Sequence, residues 1–180
     1  MAEFELWAHP AEPHRAAESV MASLERRSAN LLVLRWVIRG DIDALAVPPP
    51  APPRRTDGLW ETTCFELFIR PIEGSGYREL NFSPSGQWAA YDFCGYRAGM
   101  VQAALPAAPQ IRIEAGAREL AAEVRVSLDL HDGPYAFGLC AIVDERGLGR
   151  SFWATRHGGA APDFHHPACF ADELPPAPRP

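Results

Sequence analysis

Residues 62–93, TTCFELFIRPIEGSGYRELNFSPSGQWAAYDF, decide the fold class of this 180-residue chain. Three runs within them, at 62–70, 77–83 and 87–93, alternate apolar and polar side chains as half-buried β-strands do. The short segments between the runs are rich in glycine, proline and serine, which favour tight turns. We therefore predict three consecutive antiparallel strands.

The alternation gives the predicted strands one apolar and one mixed face. The apolar face, which must cover a core, carries Phe65, Leu67, Ile69, Leu80 and Phe82. A turn centred in the loop 71–76 places Glu66 opposite Asn81. A two-residue turn at 84–85 places Trp88 opposite Asn81 as well. A carboxylate, an amide and an indole in one row are suited to bind a ligand with hydroxyl groups and an apolar C–H face.

The rest of the chain repeats this pattern of short strands and turns. Further strands are predicted at 3–8, 31–39, 110–115, 119–128, 135–144 and 150–156. One short peripheral helix is predicted near 15–27, where Val20 and Leu24 lie four residues apart. The spacing of strands and turns predicts an all-β, antiparallel β-sandwich. We expect one domain over 1–174 and a proline-rich tail over 175–180.

Composition excludes several classes of partner. The chain has 17 basic and 23 acidic residues and a net charge of -6. Such a chain offers little basic surface for a nucleic-acid backbone or an anionic membrane. No apolar run approaches the roughly 18 residues of a membrane span, so no membrane partner is expected.

The cysteines and the first residues predict a cytoplasmic protein. The four cysteines stand apart with no CxxC pair, which is typical of small buried side chains in a reducing compartment. The opening residues lack a basic segment followed by an apolar run, as a secretion signal would have.

Three stretches resemble a known family: RTDGLWETTCFELFI at 55–69, YRELNFSPSGQWAAYDFCGYRAGM at 77–100 and SFWATRHGGAAPDFHHPACF at 151–170. They are similar to bacterial DOMON-like domains, in the branch found beside the peptidoglycan-precursor reductase MurB. This branch is related to family 9 carbohydrate-binding modules and to haem-binding cytochrome domains. The resemblance implies a β-sandwich with a ligand site on one sheet face.

The sugar-binding relatives imply particular roles for residues of this chain. Trp60 and Trp153 would clamp a sugar ring between them. Glu66, Asn81 and Glu79 would bond its hydroxyls, although those relatives carry a basic residue where this chain has Glu79. The full predicted ligand-binding set is Trp60, Glu66, Glu79, Asn81, Trp88, Arg97, Trp153 and His157. The haem-binding relatives point instead to Met100 and His157 as iron ligands.

Structural roles compete with these binding roles. Trp60 is equally consistent with a cap on the end of the sandwich. A carboxyl in mid-strand, as at Glu66, needs a partner, and an ion pair with Arg97 or Arg156 would supply one. Acid catalysis by Glu66 is a third interpretation. Tyr91 and Phe93 share the core parity under the assumed register, so we expect them in the core.

A histidine-rich segment near the C-terminus raises the question of a metal site. It contains His157, Asp163, His165 and His166 within ten residues, without the spacing of a known zinc or iron motif. We expect these groups to lock a long loop by hydrogen bonds while the nearby phenylalanines anchor it to the core.

The sequence thus predicts a non-catalytic module that binds a small molecule, most simply a saccharide or a cell-wall-derived sugar. No cofactor is expected. A haem- or metal-binding domain and a protein-interaction module remain alternatives. No nucleophile motif or phosphate-binding loop is present, so the prediction is that the protein is not an enzyme.

Overall fold

A computed structural model describes residues 2–12, 14–131, 133–174 and 176–177. Of the predicted tail 175–180, residues 175 and 178–180 lie outside the described residues. The described part contains the strands β1 (Ala2–Ala8), β2 (Ala17–Arg26), β3 (Leu31–Gly40), β4 (Cys64–Pro71), β5 (Tyr77–Phe82), β6 (Trp88–Phe93), β7 (Val101–Gln102), β8 (Gln110–Ala115), β9 (Glu119–Ser127), β10 (Tyr135–Glu145), β11 (Gly149–Ala154) and β12 (Asp172–Leu174). Short 3-10 turns lie at Ile42–Ala44, Leu59–Glu61 and Pro167–Cys169.

The strands form two antiparallel sheets that share β1. Sheet I runs β8-β9-β3-β2-β1, and sheet II runs β7-β6-β5-β4-β10-β11-β1, with β12 beside β10. The first part of β1, Ala2–Leu6, pairs with β2, whereas Trp7 and Ala8 pair with β11. The predicted all-β sandwich is therefore confirmed.

The main core lies between the two sheets. Trp36 of sheet I stacks on Phe65 of sheet II with ring centroids 5.5 Å apart, and both side chains are buried. Leu67 and Leu139, paired across β4 and β10, belong to the same cluster. The alternation seen in the sequence thus sends the apolar residues of β4 inward, and their neighbours face outward on sheet II.

The predicted helix at 15–27 is wrong, because these residues form β2. Val20 and Leu24 are both buried, and so is Ala22 between them. The spacing 20, 22, 24 is the period of a strand, and β2 fills the middle of sheet I between β1 and β3. The carboxylate of Glu145 accepts hydrogen bonds from the backbone N–H groups of residues 15–17, which anchors the start of this strand.

The predicted register is right for one hairpin and wrong by one residue for the next. Glu66 pairs with Asn81, as expected. In the second hairpin, however, Asn81 pairs with Ala89, and Trp88 pairs with Phe82. Trp88 therefore packs against the core between the sheets, not beside Asn81.

The same one-residue shift places Tyr91 opposite Glu79, on the outer face of sheet II. The expected position of Tyr91 and Phe93 in the main core is therefore wrong. Both are buried in a second apolar cluster on that outer face.

The described part of the chain includes no helix with the length and hydropathy needed to cross a bilayer.

Candidate functional site

The outer face of sheet II forms the floor of a cavity. Glu66 and Phe68 project from β4, Glu79 from β5, Phe93 from β6 and Phe152 from β11. These positions share one face because alternate residues of each strand point the same way. The cavity has a volume of about 330 Å³, at the small end of the range of about 300–1,000 Å³ for small-molecule sites.

Trp60 forms one wall of the cavity. It lies in the 3-10 turn Leu59–Glu61, which follows Gly58 in a left-handed conformation with φ 76°. Its ring meets the edge of Tyr91 at 5.9 Å between centroids. The hydroxyl of Tyr91 donates a hydrogen bond to Asp57, so β6 supports the segment that carries Trp60.

The segment between β11 and β12 also lines the cavity, with Pro162, Asp163, Phe164 and His165. Phe164 contacts the ring of Phe152 at 5.9 Å and that of Phe68 at 6.3 Å. These edge contacts anchor the segment on the sheet.

Glu66 places an ionisable carboxyl in a buried position on the floor. The residue is only 2% exposed, and among the described residues the groups that act on its carboxyl include no hydrogen-bond donor and no cation. Burial, and then the neighbouring Glu79, raise the pKa of Glu66 well above its ordinary value of 4.5. The predicted ion pair of Glu66 with Arg97 or Arg156 does not form, and Arg97 binds Asp163 instead.

Glu79 differs from Glu66 because it has a hydrogen-bond partner. Asn81 Nδ2 donates to Glu79 Oε1 at 2.7 Å. Burial raises the pKa of Glu79, and the bond from Asn81 and the charge of Arg97 only partly offset this effect. Asn81 itself is fully buried, and its Oδ1 accepts no hydrogen bond from the described residues.

A hydrogen-bonded chain fixes the orientation of His165. The backbone N–H of Arg97 donates to the hydroxyl of Tyr77 at 3.1 Å, and this hydroxyl lies 2.7 Å from His165 Nδ1. The other ring nitrogen, Nε2, lies 3.6 Å from Glu79 Oε2. Burial and the charge of Arg97 lower the pKa of His165 to about 4, so the ring is neutral at pH 7 and forms no ion pair with Glu79.

Arg97 and Asp163 join the two loops at the rim of the cavity. The guanidinium donates to Asp163 Oδ1 at 2.7 Å, and the hydroxyl of Tyr96 donates to Oδ2. Burial works to raise the pKa of Asp163, but these two hydrogen bonds outweigh it and the pKa is lowered. Arg97 has a left-handed backbone with φ 51°, rare for a residue with a side chain, which these contacts hold in place.

The structure brings together some of the predicted site residues and separates others. Trp60, Glu66, Glu79 and Arg97 line the cavity, whereas Asn81, which pairs with Glu66, is fully buried and does not line it.

Three other predicted members of the site lie elsewhere, and one of them, Trp88, packs against the main core. Trp153 belongs to the main core, where its indole N–H donates to Ser151 at 2.9 Å, because β11 sends Phe152 to the outer face and Trp153 inward. Trp153 therefore does not form the second clamp. His157 does not line the cavity, and its Nε2 bonds the carbonyl of Trp7 at 2.7 Å.

Sequence reasoning missed the aromatic walls Phe152 and Phe164. Phe152 was visible as the neighbour of Trp153 with opposite parity, since one of two adjacent strand residues must face outward. Phe164 was assigned an anchoring role, which it has, but it also lines the cavity.

The groups considered for metal or haem do not converge. Met100 lines the cavity rim whereas His157 does not, so the two do not share a site. His166 Nδ1 accepts a hydrogen bond from the backbone of Ala168, and Asp163 binds Arg97. Within the described ranges, no three His, Cys, Asp or Glu side chains are grouped as metal ligands.

Comparison with known proteins bears on the fold. No family model matches the sequence, and no curated protein matches it. A candidate carbohydrate-binding protein from Bacteroides uniformis is similar with a TM-score of 0.73 and 14% identity, over 94% of this chain and 84% of that chain. The chain shares its fold.

A family 9 carbohydrate-binding module from Caldicellulosiruptor kristjanssonii is also similar. Its complex with glucose matches with a TM-score of 0.50 and 11% identity, over 84% of this chain and 74% of that chain. Its complex with cellotriose gives the same TM-score and identity over 84% and 72%. At such identities the likeness concerns the fold, and the site must be argued from this chain's own residues.

Proposed function

We propose that this protein binds a small saccharide in the cavity on the outer face of sheet II, without catalysis. The observation that carries the proposal is the cavity floor, where the partnerless carboxyl of Glu66 lies among aromatic side chains. Because Glu66 lines the cavity, a molecule bound there can supply the hydrogen-bond partner that the described residues do not.

The aromatic walls support a sugar ring as the ligand. Trp60 and the phenylalanines of the cavity offer flat apolar surfaces to the C–H face of a pyranose. The neighbouring acceptors and donors, on Glu66, Glu79 and His165, would meet its hydroxyls. The solved structures of similar fold include a module bound to glucose and to cellotriose, which is the same class of ligand.

The positions of the two floor carboxyls favour binding over hydrolysis. Glu66 and Glu79 project from the same face of neighbouring strands, so both would meet the same side of a ligand. Glycosidases place two carboxyls on either side of the bond that they cleave. Glu66 and Glu79 are therefore assigned to recognition.

The same proposal extends to family and location. Membership of the DOMON-like, MurB-associated branch would make a cell-wall-derived sugar the natural ligand, met in the cytoplasm. All four cysteines are free, including the exposed Cys94, which is typical of a reducing compartment.

Titration calorimetry tests the function directly. The ligands are glucose, cellobiose, N-acetylglucosamine and muropeptide sugars, and we expect saturable heat for at least one of them. Trp60→Ala should then weaken that binding about tenfold or more, because it removes one stacking wall.

Trp7→Ala is the matched control for this experiment. Trp7 is 59% exposed and does not line the cavity, so its removal should leave the affinity unchanged. Absence of heat for every sugar, or an equal loss in both variants, would contradict the proposal.

A further inference from the structure

The charges around the cavity are not balanced. Glu66, Glu79 and Asp163 contribute three carboxyls, and Arg97 contributes one permanent cation. That cation is already bound to Asp163 at 2.7 Å. His165 is neutral at pH 7, so among the described residues no cationic group pairs with Glu66 or Glu79.

The polar atoms without partners at the floor of the cavity and directly behind it are oxygen atoms. The carboxyl of Glu66 has no hydrogen-bond partner among the described residues, and its side chain is buried. The same part of the chain supplies no donor for Asn81 Oδ1, one strand away, but this atom is fully buried and does not line the cavity. The carboxyls of Glu66 and Glu79 line the cavity, and an ammonium group supplies donors to such acceptors three at a time without adding an acceptor.

The aromatic walls favour a positive charge as well. Trp60, Phe152 and Phe164 come from three different segments and line one cavity. The face of an aromatic ring carries negative potential and attracts cations within about 6 Å of its centre. A sugar hydroxyl has no comparable interaction with these faces.

We propose that the ligand of this cavity is a sugar that carries a primary ammonium group, and that Glu66 and Glu79 hold the ammonium on the floor. The proposal rests on the saccharide-binding function and narrows its ligand to a class, the amino sugars with a free amine. The ammonium supplies a positive charge and hydrogen-bond donors to these two carboxyls, while the ring packs against Trp60.

Binding of a cation should also release protons. Glu79 on β5 and the thiols of Cys64 and Cys140 face Glu66, and none of them offers a positive charge. An ammonium beside Glu66 favours the ionised form of the carboxyl, so the pKa of Glu66 falls as the ligand enters. Arg97 and His165 also line the cavity, and they already have partners in Asp163 and Tyr77.

The test compares glucosamine with glucose and N-acetylglucosamine by calorimetry at about pH 6, below the usual pKa of an α-amino group. We expect glucosamine to bind about tenfold or more tightly than either neutral sugar. Titrations in buffers with different ionisation enthalpies should show proton release for glucosamine alone. Equal or weaker binding of glucosamine would overturn the inference.

Two variants test whether Glu66 causes the preference for glucosamine over glucose. Glu66→Gln keeps the size of the side chain but cannot carry a charge, so the ratio of glucosamine to glucose affinity should fall toward one. Glu114→Gln is the matched control, since Glu114 is exposed on β8 of sheet I and should leave the ratio unchanged. A ratio that stays high in Glu66→Gln would also overturn the inference.

The failure of this inference is distinguishable from that of the function on which it rests. If glucose binds and glucosamine is not preferred, only the inference of a cationic ligand is contradicted. If none of the three sugars and no sugar of the wider panel binds, both the saccharide-binding function and the inference of a cationic ligand are contradicted.

Discussion

Glu66 carries most of the argument at the scale of single residues. A buried carboxyl with no partner is destabilising, and proteins tolerate such groups mainly where they serve a function. The free energy of unfolding of the ligand-free protein should therefore depend on Glu66, so this group can be tested before a ligand is known.

We predict that Glu66→Gln stabilises the protein at high pH and has little effect at low pH. The pKa of Glu66 is raised above 4.5 on folding, so its favourable contribution is present below about pH 4.5 and is lost as pH rises toward the folded value. Glutamine does not titrate and avoids this loss. The free energy of unfolding of the variant should exceed that of the wild type by about 1–3 kcal/mol near pH 8, and by little near pH 4.

Urea unfolding at several pH values measures this difference. Part of the pH dependence should persist in the variant, because burial raises the pKa of Glu79 too. Glu114→Gln, on the exposed face of β8, should follow the wild type at every pH. A constant difference between wild type and Glu66→Gln across the range would contradict the assignment of a raised pKa.

Alternation in the sequence was sufficient to find Glu66 and to pair it with Asn81. It was not sufficient to show that Glu66 lacks an ion-pair partner, because that depends on where Arg97 lies. Arg97 is held by Asp163, which is 66 positions away in the chain, and no local pattern encodes such a contact.

At the scale of elements, the site depends on how the segment between β11 and β12 lies on sheet II. Gly138 of β10 makes this close approach possible: a Cβ there would lie 2.2 Å from the carbonyl oxygen of Cys169. The segment that includes Phe164 and His165 is therefore positioned by the absence of a side chain at residue 138.

We predict that Gly138→Ala lowers the affinity for the saccharide about tenfold, because backbone atoms of Cys169 must move and the wall carrying Phe164 moves with them. Calorimetry with the best ligand measures this change. Gly116→Ala is the control, since a Cβ at Gly116 meets nothing closer than 4.0 Å. Unchanged affinity in Gly138→Ala would show that the wall is not part of the site.

The errors of sequence reasoning at this scale have local causes. In β2, Val20 and Leu24 fit both a helix and a strand, and only burial of Ala22 distinguishes the two. In the hairpin between β5 and β6, Ser83 N–H bonds the carbonyl of Gln87, so the loop has three residues and not two. Gly86 in that loop has φ 89°, the conformation that such loops require at their last position.

At the scale of the whole molecule, the two faces of sheet II have different roles. One face covers the core that it shares with sheet I, and the other carries the cavity. A shift of one residue exchanges the faces, which is why Trp88 was misplaced. Trp153 was assigned to the site from the resemblance, and its position on β11 sends it into the core. The sandwich was predictable from periodicity, whereas the cavity walls come from segments without a period.

The tryptophans offer the most direct test of where a ligand binds. The chain has five, and of these described residues Trp60 alone lines the cavity. In ¹⁵N-resolved spectra each indole N–H gives its own signal, which Trp→Phe variants assign. Addition of a bound sugar should shift the Trp60 signal in a saturable manner and leave those of the buried Trp36 and Trp153 in place. A saturable shift confined to the exposed Trp7, or none at Trp60, would contradict binding in this cavity.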